Sequence, residues 1–397
     1  MSASSPRGVA RVRAINIDDL REAARRRLPR AIYDFLEGGA EDEVTLRENR
    51  SQFNRWRLVA RHPVDVSSRD QGIDIFGRYY TAPFVISPTG LAGLMRGRAE
   101  AALATAAALY GIPITLSSAT TVTIEDATAE AGVPPWFQLY ILKDRGLSEL
   151  MIDRARAAGC GALVISIDCP VVGQRERDLR NRLSVPLRPS WANMTDLVRR
   201  LPWLIDILRH GAPGPRMLAR PGERDAQMLT ARMIEQLDPS VSWRDIDWVR
   251  QRWGGPLIIK GLVSPVDVAR SIDHGMDGIV VSNQGGRQLD HAVPTIEALP
   301  QAIEAADGRC TIFCDGGFRR GSDVAKALAL GARAVFLGRA TLYGVTADGF
   351  AGAIRALTIL GEELDRVMGF LGCTTVDQLD RTHLWDMCTN MPGPGQA

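Results

Sequence analysis

Eight short apolar runs in this chain each end in glycine or in polar and charged residues, and these endings carry the candidate chemistry. The last two endings are Asp315-Gly316-Gly317, followed closely by Arg319, and Gly338-Arg339. Glycine alone would mark only a tight turn. Glycine with arginine is different, because backbone N–H groups can then approach an anion closely while guanidinium groups bind its oxygens. Together the two endings predict a phosphate site formed by the backbone and by both arginine side chains.

Lys260 ends another of these runs, PLIIKG, where burying its charge is costly without a partner. One interpretation is an ion pair with a neighbouring Asp. The other is a flavin ring, which becomes negative near N1 on reduction and would be stabilised by an ammonium group. Gln138, Ser117 and Ser166 end further runs and either hydrogen-bond the edge of such a ring or are satisfied buried polar residues.

The runs that position these residues are almost continuously hydrophobic, as strands buried on both faces require. Stretches with helical spacing separate them, and glycine closes several of these stretches. Eight strand–helix repeats predict a closed (β/α)8 TIM barrel rather than an open doubly wound sheet, with the chemistry where the strands end. The predicted strands span 83–90, 112–118, 136–140, 161–170, 256–261, 278–286, 310–317 and 333–340.

Two regions lie outside the barrel pattern, although we assign 1–397 to a single domain. Residues 1–80 form an N-terminal helical segment with helices near 17–28 and 30–38, and the barrel takes 81–182 and 241–370. Residues 183–240 are a long insertion after strand four. In it, one helical face carries Leu197, Leu201, Leu204, Ile205 and Leu208. This face either folds over the barrel mouth as a lid or lies in a membrane interface through 190–215, with Pro202 interrupting the helix.

Composition restricts the function classes further. A chain of 397 residues that is 45% hydrophobic can form a substantial core, and a formal charge of +2 does not call for a nucleic-acid partner. The six cysteines are interpreted as buried small hydrophobes in a reducing cytoplasm, without the spacing of a metal site. No signal-peptide core and no run of about 18 apolar residues is present. We expect a protein that is either cytoplasmic or bound peripherally at the inner face of the cytoplasmic membrane.

From about Ile17 to about Gly372 the chain resembles the FMN-dependent L-2-hydroxy-acid oxidases and dehydrogenases, a family that includes glycolate oxidase, lactate dehydrogenase and mandelate dehydrogenase. The motifs that carry the resemblance are YDFLEGGAEDE, SPTGLAGL, LSS, FQLY, IDCPVVGQRERDLRNR, IIKG, VVSNQGGRQLD, DGGFRRGSDVAKALALGA and FLGRATLYG. The resemblance implies that FMN is held by Pro88, Thr89, Gly90, Ser117, Gln138, Ser166, Lys260, Ser282, Asp315, Gly316, Gly317, Arg319, Gly338 and Arg339.

The resemblance also implies how substrate is bound. Arg175 and Arg287 would grip the carboxylate of a 2-hydroxy acid, so that its α-carbon faces the flavin. Tyr33 and Tyr140 would hydrogen-bond the carboxylate and the reacting hydroxyl. Small residues at Gly90 and Ala119 favour a bulky or aromatic substrate side chain, and Gly90 favours a quinone-like electron acceptor over dioxygen. Among relatives the insertion is most similar to that of bacterial mandelate dehydrogenases, where it attaches to a membrane, and family members are often tetramers.

One position departs from the family pattern. Where the family has the histidine that removes the substrate's proton, this chain has Gln284, and a neutral amide does not take up a proton near neutral pH. Asp168, the usual partner of that histidine, could act as base directly or through a water. Alternatively, the site has been reassigned to a substrate that needs no strong base, or the protein binds FMN and a carboxylate without turnover. The rivals are therefore a flavin-binding scaffold and a phosphate-binding TIM-barrel enzyme without flavin.

Overall fold

A barrel of parallel strands forms the centre of the molecule. The computed structural model describes residues 13–181, 196, 198–219, 223 and 225–388. The strands are β1 (Trp56–Leu58), β2 (Ile73–Ile75), β3 (Arg78–Tyr80), β4 (Phe84–Ile86), β5 (Thr115–Ser117), β6 (Trp136–Leu139), β7 (Leu163–Ser166), β8 (Leu257–Leu262), β9 (Gly278–Val281), β10 (Thr311–Cys314), β11 (Ala334–Leu337) and β12 (Leu384–Asp386).

Strands β4 to β11 form one eight-stranded sheet in the order β4-β11-β10-β9-β8-β7-β6-β5. A parallel bridge between Ile86 and Ile114 joins the first and second of these strands and closes the barrel. Most residues of the eight strands are buried, as their continuous hydrophobicity predicts. The predicted (β/α)8 barrel is therefore confirmed, with each strand at its predicted place in the chain.

Helices surround the barrel and follow the predicted stretches closely. The long α14 is kinked at Asp348 and Gly349, where the backbone leaves helical geometry. The helices are α1 (Ile17–Arg27), α2 (Arg30–Glu37), α3 (Val44–Ser51), α4 (Ala99–Tyr110), α5 (Ile124–Ala131), α6 (Arg145–Ala157), α7 (Glu176–Arg180), α8 (Leu201–His210), α9 (Ala226–Gln236), α10 (Trp243–Arg252), α11 (Pro265–Asp273), α12 (Thr295–Ala306), α13 (Gly321–Ala329) and α14 (Arg339–Leu371).

The two ends of the barrel are closed differently. At the amino ends of the strands, the β2–β3 hairpin places Phe76 against Trp136 and Phe313, with ring centroids 6.1 and 6.2 Å apart. These rings fill that end with apolar surface, as the inner layers of such barrels require. The carboxyl ends are covered by the N-terminal segment instead, since α1 packs on α14 and α2 lies beside the strand endings.

The insertion after β7 lies against the barrel through α8. Trp203 is buried and donates its indole N–H to the Leu94 carbonyl at 2.8 Å. Leu201, Ile205 and Leu208 are instead 52%, 45% and 74% exposed. Pro202 lies in the first turn of α8, just after Arg200, whose backbone is not helical. Residues 182–195 and Leu197, which the predicted apolar face includes, lie outside the described residues.

Candidate active site

A cavity of about 270 Å³ opens at the carboxyl ends of the barrel strands. It lies where a (β/α)8 barrel places its chemistry, because the loops that follow the strands converge there. Most of the residues singled out in the sequence line it. They are Pro88, Thr89, Gly90, Ser117, Tyr140, Arg175, Lys260, Gln284, Arg287, Asp315, Gly316, Gly317, Arg319, Gly338 and Arg339.

Lys260 lines this cavity and is almost fully buried. Its Nζ donates to Ser282 Oγ at 2.8 Å and to Gln284 Oε1 at 3.0 Å, and it forms an ion pair with Asp315 Oδ2 at 3.0 Å. Burial opposes the charged form, but the carboxylates of Asp315 and Asp168 outweigh it and raise the pKa of Lys260. The predicted ion pair with an Asp is present, and the ammonium group still faces the cavity as a fixed positive charge.

Two buried polar atoms beside the cavity lack partners among the described residues, and they test whether the site fits FMN. Gln138 Nε2 is a donor without an acceptor, and Asp315 Oδ1 is an acceptor without a donor. Leaving such an atom unpaired costs about 1–3 kcal/mol. Ser117 Oγ donates to Gln138 Oε1 at 2.8 Å, which orients the unpaired N–H. A flavin ring edge carries acceptors and ribityl hydroxyls are donors, so the chemistry of FMN matches both atoms, of which Asp315 lines the cavity and Gln138 lies directly behind Ser117.

The phosphate end of the predicted site is formed mainly by backbone. A β-carbon on Gly317 would lie 1.9 Å from the Asn49 carbonyl oxygen, and its φ is +82°, so only glycine fits there. Arg319 presents its guanidinium to the cavity, where Nη1 donates to the Phe318 carbonyl at 2.8 Å. The helix α14 begins at Arg339, so its first N–H groups point toward the same space.

The guanidinium of Arg339 lies at the cavity and is also anchored to backbone. It donates to the carbonyls of Leu36, Gly285 and Gly38 at 3.0, 2.9 and 2.8 Å. These bonds use one N–H on each of its three nitrogens and anchor the side chain to backbone, which leaves two of its five N–H groups. The main chain at the start of α14 would also contribute to anion binding.

Gln284, at the position where the sequence resemblance implies a histidine, connects two other groups. Its Oε1 accepts from Lys260, so its Nε2 is the donor to Tyr140 Oη, at 2.9 Å. Its φ is +53°, a left-handed conformation that few side-chain-bearing residues adopt. The amide is therefore held in one orientation, with Tyr140 accepting from it.

Asp168, predicted as an alternative base, does not line the cavity. Its Oδ2 is sealed from solvent and has no hydrogen-bond partner among the described residues. Burial raises the pKa of Asp168, and the positive charge of Lys260 offsets only part of that rise. Gly261 makes room for it, since a β-carbon there would lie 2.6 Å from Asp168 Cβ. Direct contact between this carboxylate and a substrate is therefore not supported.

The two predicted carboxylate-binding arginines do meet at the cavity, on either side of Phe35. The Cζ atoms of Arg175 and Arg287 lie 5.9 and 5.0 Å from the centre of the Phe35 ring. Arg287 uses Nη1 for the Phe35 and Gly38 carbonyls, at 2.7 and 3.0 Å. Burial, with the charges of Arg175 and Arg339, lowers the pKa of Arg287 to about 9. A carboxylate bound between them would relieve this crowding of positive charge.

The prediction that Tyr33 binds substrate is wrong. Tyr33 does not line the cavity, and its electrostatic neighbours are Arg21, Glu37 and Arg25. Phe35 lines the cavity instead. Residues two apart on a helix point about 200° apart, so the face of α2 that holds Phe35 cannot also present Tyr33. The sequence Tyr33-Asp34-Phe35 does not by itself tell which of its two aromatic residues faces the barrel. The packing of α2 decides it.

Three further residues that were predicted to bind FMN do not line the cavity but lie behind its wall. Gln138 and Ser282 are buried and touch the site through Ser117 and Lys260. Ser166 lines a neighbouring cavity of about 290 Å³ that also meets Tyr140 and Cys169. Sequence inspection missed Cys169 and Gln288, although both stand inside quoted motifs.

The lid interpretation of the insertion has no support in the described part of the chain. No described residue between 183 and 240 lines the cavity. The same described residues contain no helix that is both long and apolar enough to cross a membrane. The exposed leucine and isoleucine side chains of α8 thus face away from the site.

The fold and the site together define the class of protein: a (β/α)8-barrel oxidoreductase with FMN as its cofactor. The chain belongs to the FMN-dependent dehydrogenase family, whose model matches residues 24–386. It is 41% identical to the (S)-mandelate dehydrogenase of Pseudomonas putida over 93% of each chain. It is 39% identical to the L-lactate dehydrogenase of Caulobacter sp. (strain K31), over 92% of this chain and 97% of that one.

A solved structure shares the fold over nearly the whole length. The crystal structure of the monotopic membrane protein (S)-mandelate dehydrogenase matches with a TM-score of 0.91 and 40% identity, covering 94% of this chain and 100% of that one. These relatives place the protein among the FMN-dependent 2-hydroxy-acid dehydrogenases and oxidases, which are oxidoreductases, and none of them supports the scaffold alternative.

Proposed function

We propose that this protein oxidises an L-2-hydroxy acid with a bulky or aromatic side chain, of the mandelate type, to the 2-oxo acid. The observation that carries the proposal is the pair Arg175 and Arg287, which flank one cavity beside the fixed charge of Lys260. Bound FMN supplies the two-electron acceptor in this chemistry.

The side-chain end of the cavity supports a large substituent. Gly90 and Ala119 both line it, and a β-carbon on Gly90 would come within 3.0 Å of the Ala119 β-carbon. These two small residues leave room that larger ones would fill, while Leu91, Met95 and Phe35 offer apolar surface nearby. A phenyl or long alkyl group gains from such surface, at about 25 cal/mol per Å² buried.

Within this proposal, the substrate carboxylate lies between Arg175 and Arg287, and the reacting hydroxyl faces Tyr140. Tyr140 lines the cavity and already accepts from Gln284, which leaves its own proton free to be directed elsewhere. An acceptor then reoxidises the flavin, and the small residue at Gly90 favours a quinone-like molecule over dioxygen.

The test is anaerobic mixing of the purified yellow protein with both enantiomers of aliphatic and aromatic 2-hydroxy acids, following loss of flavin colour. Bleaching that is fastest with aromatic L-acids is the expected result. Absence of bleaching with every acid, in protein that binds FMN fully, would refute the proposed reaction and leave a binding protein. A colourless preparation that cannot be loaded with FMN would contradict the cofactor assignment itself.

We further propose peripheral membrane contact through α8 and assembly into a homotetramer. The exposed Leu201, Ile205 and Leu208 support the first, and so does the fact that the structural relative is a monotopic membrane protein. The second stays a prediction that sedimentation analysis can check.

A further inference from the structure

We propose that Cys169 is a positioning residue in a proton relay from the Tyr140 hydroxyl to the Asp168 carboxylate. The inference rests on the proposed function, because it supplies the route by which the substrate's hydroxyl proton leaves the cavity. It also answers a problem that the geometry raises: Gln284 is no base, Asp315 is paired with Lys260, and Asp168 does not line the cavity.

The thiol lies between the two ends of this route. Cys169 Sγ is 3.7 Å from Tyr140 Oη and 3.6 Å from Asp168 Oδ1, both within hydrogen-bonding distance for sulfur. Tyr140 lines the cavity, whereas Asp168 does not. The sulfur atom therefore links a group that touches substrate to a group that cannot.

Two amides set the direction of the hydrogen bonds. Gln284 Nε2 donates to Tyr140 Oη at 2.9 Å and lies 3.3 Å from Cys169 Sγ, and Gln288 Nε2 lies 2.6 Å from the same sulfur. Because the phenol oxygen and the sulfur both accept from amides, their own hydrogens are left to point onward. The Tyr140 hydrogen can face Sγ, and the thiol hydrogen can face Asp168 Oδ1.

The proton must end on Asp168. Burial raises the pKa of Tyr140 well above its ordinary value, and burial with the Asp168 charge raises that of Cys169 to about 12. Neither group would keep a negative charge near neutral pH. The Asp168 carboxylate can gain a proton, because burial raises its pKa and so favours its neutral form. Its buried Oδ2 has no hydrogen-bond partner among the described residues that would stabilise the charged form.

The relay balances the oxidation atom by atom. The substrate O–H bond breaks as its proton joins Tyr140 Oη, the Tyr140 proton moves to Cys169 Sγ, and the thiol proton moves to Asp168 Oδ1. The α-carbon–hydrogen bond breaks, its two electrons and hydrogen pass to bound FMN, and a C=O bond forms. Tyr140 and Cys169 end the step neutral, so neither phenolate nor thiolate accumulates.

The first test compares Cys169→Ala with Cys169→Ser and with Cys160→Ala, a matched control at another buried thiol. Rates of anaerobic flavin reduction are measured in H₂O and D₂O across pH. Cys169→Ala is expected to slow reduction by roughly 10²-fold, the low end of acid–base effects. Cys169→Ser should recover most of the rate, because a hydroxyl can pass the proton. The rate of flavin reduction in Cys160→Ala should equal that of the parent protein, and KM should stay unchanged in all three variants.

Asp168→Asn should slow reduction as much as Cys169→Ala, and the double variant should be no slower, because members of one relay act as a unit. An unchanged rate and pH profile in a Cys169→Ala protein that retains FMN would overturn the relay while leaving the proposed function intact.

A second readout does not need turnover. Subtracting the infrared spectrum of Cys169→Ala from that of the parent protein isolates the S–H stretching band of Cys169. Asp168→Asn should shift this band if the thiol donates to that carboxylate, and a band that does not move would refute the relay. If no acid bleaches the parent protein, the proposed function fails, and this measurement still decides the hydrogen bond.

Discussion

Lys260 donates to the side-chain oxygen of Gln284 across 3.0 Å, and that bond orients the amide at the position where the family resemblance implies a histidine base. A neutral amide held between an ammonium and a phenol can accept from one and donate to the other, but it cannot take a proton from either. The consequences of this arrangement can be measured directly.

Gln284→His should accelerate flavin reduction by a 2-hydroxy acid by roughly 10²-fold or more, because imidazole is a direct base with a pKa near neutral. Histidine tolerates the left-handed φ of +53° better than most residues, so the variant should fold. Stopped-flow flavin bleaching measures the gain, with Gln284→Asn as the amide control. In the histidine background, Cys169→Ala should lose its effect, and a persistent effect would contradict the relay.

Arg287→Ala and Arg175→Ala should each weaken substrate binding. A hydrogen bond to a charged group contributes about 1.5–3 kcal/mol, so the Kd for a 2-hydroxy acid should rise roughly 10- to 150-fold. Titration of flavin absorbance with a non-reacting carboxylate gives this Kd. Arg320→Ala, whose partner is Glu363 on the surface, serves as control. Equal affinities in all three variants would place the carboxylate elsewhere.

Glu100 predicts a pH effect on stability away from the cavity. It is buried, accepts from the Thr121 N–H and hydroxyl at 2.9 and 2.7 Å, and burial raises its pKa. A raised folded pKa means that protonation stabilises the fold, so this contribution is complete below the unfolded pKa and is lost as pH rises through the folded value. Glu100→Gln should therefore flatten the fall of Tm between acidic and mildly alkaline pH. A parallel pH curve for both proteins would show that the carboxyl does not titrate differently on unfolding.

Replacing the exposed apolar residues of α8 should abolish membrane contact. Ile205→Asp with Leu208→Asp is expected to release the protein from vesicles, because charge removes the apolar surface that enters the interface. Vesicle sedimentation measures the bound fraction. Leu109→Asp, at a leucine 70% exposed on α4, is the matched control. If the parent protein stays in the supernatant, the membrane proposal fails.

The barrel could be predicted from the sequence because its signal is local. Continuous hydrophobicity over short runs, separated by helical stretches, is enough to specify parallel strands buried on both faces. The residues that end these runs, such as Lys260 and Asp315, converge for the same reason, since parallel strands deliver their carboxyl ends to one place. The family resemblance then supplied the cofactor.

The contacts that the sequence did not reveal involve partners that lie far away in the chain. Arg339 sits beside Gly338 as predicted, but its guanidinium binds the Gly38 and Leu36 carbonyls, about three hundred positions earlier in the chain. The choice between Tyr33 and Phe35 required the rotation of α2 about its axis, which packing sets. The place of Cys169 between Tyr140 and Asp168 emerges only when two loops meet.

The hydrogen bonds from Arg287 and Arg339 to carbonyls at the end of α2 also affect the order in which the protein can fold during synthesis. The segment they hold is synthesised before the arginines that hold it, with sequence separations of 252 and 303 residues. Loop closure over such separations is slow relative to local folding. In a nascent chain, α2 therefore lacks these contacts until Arg287 and Arg339 have been synthesised, and the cavity cannot be complete before then.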